Sequence, residues 1–374
     1  MSGADSFGNI FRVPELKKRI LFTLALLVVY RIGAHIPTPG INSVALAELF
    51  ARAQGTILGF FDMFSGGALS RLTIFALGIM PYISSSIILQ LMTIVSPHLA
   101  KLKKEGEQGQ KKITQYTRYG TVVLSLIQGS GIAVGLEAMK SPSGGLIVHE
   151  PGWSFRMMTV LTLTAGTCFL MWLGEQITER GIGNGISLII MVGIIARAPS
   201  VFRSQFIQIQ NGLSNPFTNI WLLVLMFGIT LVVVAVTTGV RKIPVQYAKR
   251  VVGRKVYGGQ ATHIPLRILT AGVMPIIFAQ ALMFIPSTIA SFFPQGNGFG
   301  DWLQIVFAPT HIVYSMFFAF LIIIFTYFYT AIAFNPVDVA DNMKKQGGFI
   351  PGVRPGKSTS DYIDHILTRV TLPA

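Results

Sequence analysis

Only 12% of this 374-residue chain is charged. Soluble globular proteins carry roughly 25%, so this chain has too few polar side chains to cover a water-facing surface. Half of it is apolar and its mean hydropathy is +0.60, which reads as an integral membrane protein. Its formal net charge of +15 does not imply nucleic-acid binding, because 23 of the 30 Lys and Arg fall in alternate loops and tails, 6 in the loops between them, and Arg31 inside the first apolar run. By the positive-inside rule this puts both termini and the basic loops in the cytoplasm.

In chain order, residues 1–19 form a cytoplasmic tail able to lie on the membrane surface, with Phe11, Val13 and Leu16 set against Arg12, Lys17, Lys18 and Arg19. Eight apolar runs follow, near 20–36, 72–96, 119–138, 155–177, 185–203, 217–238, 269–293 and 309–334. Each approximates the ~20 helical residues that cross a hydrocarbon core of about 30 Å. The first is read as a retained helix, since no small-residue cleavage site follows it and seven runs do. Near its outer end, Arg31 can snorkel to the headgroups.

Before run two stands GFFDMFSGGALSR (59–71). Asp62, Ser65 and the Gly66–Gly67 pair make it too polar to cross a bilayer, while Phe60, Phe61 and Phe64 make it too aromatic for an ordinary outer loop. It reads either as a half-inserted segment, tolerated only where protein or a water-filled cavity surrounds it, or as an amphipathic turn on the outer surface. Run two then carries GIMPYI (78–83), and run seven carries GVMPII (272–277), in a helix of opposite direction. Proline-interrupted segments at matching places of two antiparallel halves mark an inverted repeat. Five spans separate the phrases, so the predicted unit is five helices: 20–203 holds spans one to five and 204–374 spans six to eight. The predicted fold is an all-α polytopic helical bundle of two inverted five-helix halves, the second incomplete. Between the spans lie a basic loop at 97–118, a second at 239–268 whose Val, Tyr and Thr suggest a hairpin, a cytoplasmic segment at 335–365, and outer connectors at 139–154 and 294–308.

The chemistry in the spans is sparse. Glu175 and Glu179 sit at the inner end of run four, the six His are scattered without metal-ligand spacing, and the single cysteine, Cys168, supports neither a disulfide nor a cysteine metal site. There is no phosphate-binding loop motif and no serine–base spacing. These residues point away from an enzyme, a cofactor or an ion-coupled transporter. What the spans offer is bulky β-branched residues beside the two prolines: Ile79 and Ile83 lie one helical turn apart, and Ile277 holds the place of Ile83 in the second phrase. A ring of such residues can stop water and ions by dewetting. An inverted-repeat solute transporter is the alternative, and needs a charged or unwound site at mid-membrane.

Five stretches in order, FSGGALSRLTIFALGIMPYISSSIILQL (64–91), KKEGEQGQKKITQYTRYGT (103–121), WLGEQITERGIGNGISLII (172–190), AGVMPIIFA (271–279) and FNPVDVADNMKKQGGFIPGVRPG (334–356), resemble the SecY family, the central subunit of the bacterial protein-export channel. The resemblance implies a non-enzymatic channel of the bacterial inner membrane, built from two inverted five-helix halves. It passes unfolded secretory polypeptides and releases hydrophobic segments sideways into lipid. It implies a pore ring of Ile79, Ile83, Ile190 and Ile277, and a plug at 59–71 including Phe60, Phe64, Ser65, Gly66 and Gly67. It further implies a lateral gate of Ser86, Ile87 and Gln90 against Phe284 and Ile285. Arg254, Lys255 and Arg354 match positions that dock the motor ATPase SecA or the ribosome. SecE and SecG are the implied small membrane subunits. The family pattern also has two more helices after the last residues here, so a C-terminally truncated member is expected.

Overall fold

The computed structural model describes residues 13–52, 62, 65–138, 146–212, 215–247, 250–252, 255–257, 261–269, 272, 274–291, 298, 302, 305–307, 311–333 and 336–371. They fall into two compact units, Met1–Gln205 with Gln280–Phe317, and Phe206–Ala279 with Phe318–Ala374.

In the first unit, α1 (Pro14–Gly33) opens on a proline, whose missing N–H is no loss in a first turn. A short α2 (Ser43–Arg52) is capped by the Asn42 side chain, which accepts hydrogen bonds from the Val44 and Ala45 amides. Next come α3 (Met80–Val95) and α4 (Pro97–Lys104), meeting at a bend of 102°. Pro97 accounts for the break, since it disfavours helical backbone at Ser96. Two long helices, α5 (Glu107–Ala138) and α6 (Trp153–Arg180), are clamped at both ends. At one end Arg118 holds Glu175 in a bidentate pair at 2.7 and 2.9 Å; at the other the Arg156 guanidinium meets the Glu137 carboxylate at 2.6 Å. α7 (Gly185–Ile195) is capped by Asn184, which accepts from the Ser187 amide, and α8 (Ala198–Gln210) follows.

In the second unit, α9 (Pro216–Thr238) is apolar and exposed on all faces, as suits a helix whose solvent is lipid. The hairpin expected in the second basic loop is present. β1 (Val240–Tyr247) pairs antiparallel with β4 (Ala261–Arg267), Ile243 opposite Ile264, and β2 (Arg250–Val252) pairs with β3 (Lys255–Tyr257) between them. Burial in β1 alternates, Ile243 and Val245 inward, Lys242 and Gln246 outward. After α10 (Met274–Ser291, of the first unit from Gln280 on) and α11 (Ile312–Ala333, of the first unit up to Phe317), α12 (Pro336–Lys345) leads to β5 (Gly348–Phe349), a third strand on β1, and to α13 (Lys357–Thr371). Ile243, Val245 and Leu266 form a small core with Met343, Ile350, Ile363, Ile366 and Leu367.

By length and composition, five helical stretches among the described residues suffice to cross a membrane, and the bent pair α3–α4 makes a sixth. α1 carries Glu15, Lys17, Lys18, Arg19 and Arg31 within its 20 residues, which explains why it reads less clearly as a span.

The repeated phrase needs a correction. The proline does not interrupt a helix that began earlier. Residues 65–79 are turns, and α3 begins at Met80 rather than near residue 72. At the second phrase α10 likewise begins at Met274. Each phrase is a helix start, with proline in the first turn where it is tolerated. The preceding glycines match: Gly78 has φ +58 and its amide donates to the Phe75 carbonyl, while Gly272 has φ +62 and its amide donates to the Leu269 carbonyl. Both sit in the left-handed region that glycine enters freely. Gly78→Ala and Gly272→Ala are each expected to cost about 1–3 kcal/mol, read as earlier thermal unfolding of the detergent-solubilised protein.

Candidate conducting site

The non-helical stretch 65–79, exposed Arg71 apart, is buried or half-buried although it forms neither helix nor strand. Its side chains divide between two apolar clusters. Leu69, Leu72, Ala76 and Leu77 enter one with Leu46, Phe50, Ile147 and Leu163. Ala68, Phe75 and Ile79 enter the other with Tyr30, Leu170, Leu173 and Ile177. Irregular backbone at membrane depth is stable only where protein surrounds it and its polar groups find partners. Here the Thr38 amide and hydroxyl both donate to the Leu72 carbonyl at 2.8 and 2.7 Å, and the Ile74 amide donates to the Ile36 carbonyl at 3.0 Å.

The surrounding helices make room with glycines. A methyl group on Gly33 of α1 would overlap the Phe75 ring, and one on Gly166 of α6 would overlap the Ile74 carbonyl oxygen. At Gly66 a Cβ would lie 2.9 Å from the Gly193 carbonyl oxygen of α7. Phe75 is held between Tyr30 and Phe169, both stacked on it with centroids 6.0 Å away.

Three of the four expected ring residues meet in the second cluster: Ile79 is buried within it, and Ile83 and Ile190 pack half-buried against it. Ile79 is 6% exposed and caps α3, so it is the most firmly packed of the three. Ile277 is half-buried on the first turn of α10, in the other unit. Of the expected plug residues, Ser65 and Gly66 are buried and Gly67 is half-buried; Phe60 and Phe64 lie outside the described residues.

On α3, Ile79, Ile83, Ser86 and Gln90 follow at i, i+4, i+7 and i+11, one stripe of the helix. Ser86 is half-buried, Gln90 exposed and Ile87, beside the stripe, buried. Ser85, on another face, donates to the Thr117 carbonyl of α5 at 2.8 Å and fixes α3 there. Phe284 and Ile285 belong to α10, but their side chains lie outside the described residues. Arg254 lies outside them altogether, and of Lys255 only the backbone, in β3, is described. Arg354 is exposed at a turn flanked by Gly352 (φ +86) and Gly356 (φ +106), and its carbonyl accepts from the Thr359 hydroxyl at 2.9 Å.

Other contacts were not legible in the sequence. Arg31 does not reach toward headgroups: its guanidinium donates to the Gly66 carbonyl at 3.4 Å. Asp62 is buried and accepts an ion pair from Arg197 at 2.9 Å. Asp62 and Arg197 are far apart in sequence, and no local pattern pairs them.

A family model described as SecY matches residues 73–374. The protein translocase subunit SecY of Escherichia coli (strain K12) is 52% identical over 361 residues, which cover 96% of this chain and 81% of that protein. Among solved structures, one described as the structure of a protein conducting channel matches with TM-score 0.62 at 16% identity, over 96% of this chain and 83% of that one. Another, Sec61 in the canine ribosome–channel complex from the endoplasmic reticulum, matches with TM-score 0.56 at 15% identity, over 96% and 82%. At such identities the structures speak for the fold, a polytopic helical membrane protein, while the family model and the half-identical relative speak for the lineage. On that evidence this chain belongs to the SecY family: it is a multi-pass protein of the bacterial inner membrane, a subunit of a protein-translocating channel and not an enzyme.

Proposed function

We propose that translocating polypeptides pass a constriction of Ile79, Ile83, Ile190 and Ile277, which segment 59–71 closes at rest. The supporting observation is the cluster in which Ile79, Ile83 and Ile190 pack with Ala68 of the buried segment. Ile277 joins them on the equivalence of the two helix starts, where it corresponds to Ile83. Stiff β-branched side chains suit such a seal, since they close around a passing chain without selecting its sequence. Hydrophobic segments leave sideways between α3 and α10, past Ser86, Ile87, Gln90, Phe284 and Ile285. The charge distribution supports a cytoplasmic N-terminus and cytoplasmic basic loops. There Arg254, Lys255 and the exposed Arg354 dock a ribosome, a partner present in the complex of the canine relative, or the SecA motor. Guanidinium and ammonium groups suit RNA phosphates and acidic side chains alike. SecE and SecG complete the membrane complex.

The test is a cross-link. In a Cys168→Ser background, one cysteine replaces Ile83 or Ile277, and a secretory substrate carrying a single cysteine is arrested in transit in native membranes. A substrate-dependent disulfide is expected at both positions, and none at Val233→Cys on exposed α9. Engaged substrate that forms no adduct at either position would overturn the ring assignment.

A further inference from the structure

The buried segment is bound to itself and to its seat in different ways. Within it, the Asp62 carbonyl accepts from the Gly67 amide at 2.8 Å and from the Ser65 hydroxyl at 3.1 Å. One carboxylate oxygen of Asp62 accepts from the Ser70 amide at 2.7 Å, and the Ser65 hydroxyl oxygen accepts from the Leu69 amide at 3.2 Å. These bonds tie Asp62 to residues 65–70. Among the described residues, two polar contacts reach from the segment to the helices. One is the 3.4 Å bond from Arg31, long and single. The other is the 2.9 Å pair between the second carboxylate oxygen of Asp62 and Arg197, which stands between α7 and α8. The Gly66–Gly193 approach sets the segment flush against α7 and brings the two charges together.

We propose that the Asp62–Arg197 ion pair is the latch of the resting segment, so that its strength sets how often 62–70 leaves its seat. This rests on the reading of 59–71 as the moving plug. The pair is asymmetric: the Asp62 side chain is 4% exposed and that of Arg197 is 36% exposed. Arg197 thus keeps part of its side chain at the surface, while the enclosed Asp62 relies on it for its countercharge. A buried carboxylate that loses its partner is unfavourable, and leaving the seat hydrates it. Removing Arg197 alone thus pushes the segment out. Asp62→Asn, by contrast, keeps an acceptor for the Ser70 amide and loses only the attraction.

The order of effects follows. In a Cys168→Ser background, Ser65→Cys places a thiol that is buried at rest, the parent serine being 7% exposed. Its modification by a small water-soluble maleimide, applied to both faces of permeabilised native membranes, reports the unseated fraction. Arg197→Gln is expected to raise the rate about tenfold, equivalent to ~1.4 kcal/mol. Asp62→Asn raises it less, Arg197→Lys stays near the parent, and the Asp62→Asn/Arg197→Gln double variant falls back to the Asp62→Asn rate. Unchanged rates throughout overturn the latch, and so does a double variant at or above Arg197→Gln. Ion flux, measured across sealed proteoliposomes of the same variants, separates the two readings. Faster labelling without a rise in flux, in the Ile83→Gly/Ile190→Gly background as in the parent, leaves the latch standing and rejects the plug.

Discussion

Replacing Gly166 by leucine is expected to abolish accumulation of the folded channel, the largest structural effect of any single substitution considered. The glycine lies on the buried face of α6, between Leu163 and Leu170, and any Cβ there overlaps the Ile74 carbonyl oxygen, with the carbonyl carbon at 2.8 Å and the Phe75 ring at 3.4 Å. Neither neighbour can give way. The Ile74 amide is tied to the Ile36 carbonyl, the Leu72 carbonyl two residues earlier takes both Thr38 donors, and the Phe75 ring is held between Tyr30 and Phe169. Overpacking a relaxed core typically costs about 1–3 kcal/mol, and here the obstacle is backbone, so even Gly166→Ala is expected at the top of that range. Gly228→Leu on α9 is the control: nothing lies within 4 Å of a Cβ there, and a lipid-facing helix accepts leucine. Membrane abundance and thermal aggregation of the three variants check this. Gly166→Leu at Gly228→Leu levels would show that the segment is not wedged against α6.

That contact also marks where the sequence stops being legible. The membrane class, most of the helices and the hairpin in the basic loop follow from apolar runs, charge placement and β-branched composition, each of which acts over a few residues. The stretch Leu72–Ile79 defeats such reasoning, because an apolar run reports burial rather than backbone conformation. Its true signals were the glycine and proline of GIMPYI, read as an interrupted helix when they mark a helix start. The Asp62–Arg197 and Arg31–Gly66 contacts lie further out of reach, since they exist only once α1, α7 and the buried segment have been brought together. Arg31 looked like a headgroup anchor because a charge near the end of an apolar helix usually is one. Two-residue β5 is likewise invisible alone and is defined by its pairing with β1.

Opening the constriction without moving the segment is the sharpest functional prediction. The Ile83→Gly/Ile190→Gly variant is expected to raise resting ion conductance of reconstituted membranes about tenfold, a change that needs only ~1.4 kcal/mol off the barrier. Ile83 and Ile190 are half-buried at the edge of their cluster, so truncating them widens a surface and leaves the packed interior in place. Ile79 is the wrong choice: it is 6% exposed and caps α3, and its loss costs folding before it reports on leakage. A hydrophobic seal excludes ions because water in a narrow apolar neck is unstable, and two glycines remove both the apolar surface and the narrowing. Restoring β-branched bulk with valine at both positions should return conductance close to the parent, whereas Val233→Gly on exposed α9 should leave it unchanged. Conductance that stays at the parental level in the double glycine variant, with its abundance intact, places the resting barrier elsewhere. In that case Arg197→Gln becomes the discriminating background. A large leak on unlatching alone assigns the barrier to the buried segment, and a leak that requires both changes assigns it to segment and ring in series.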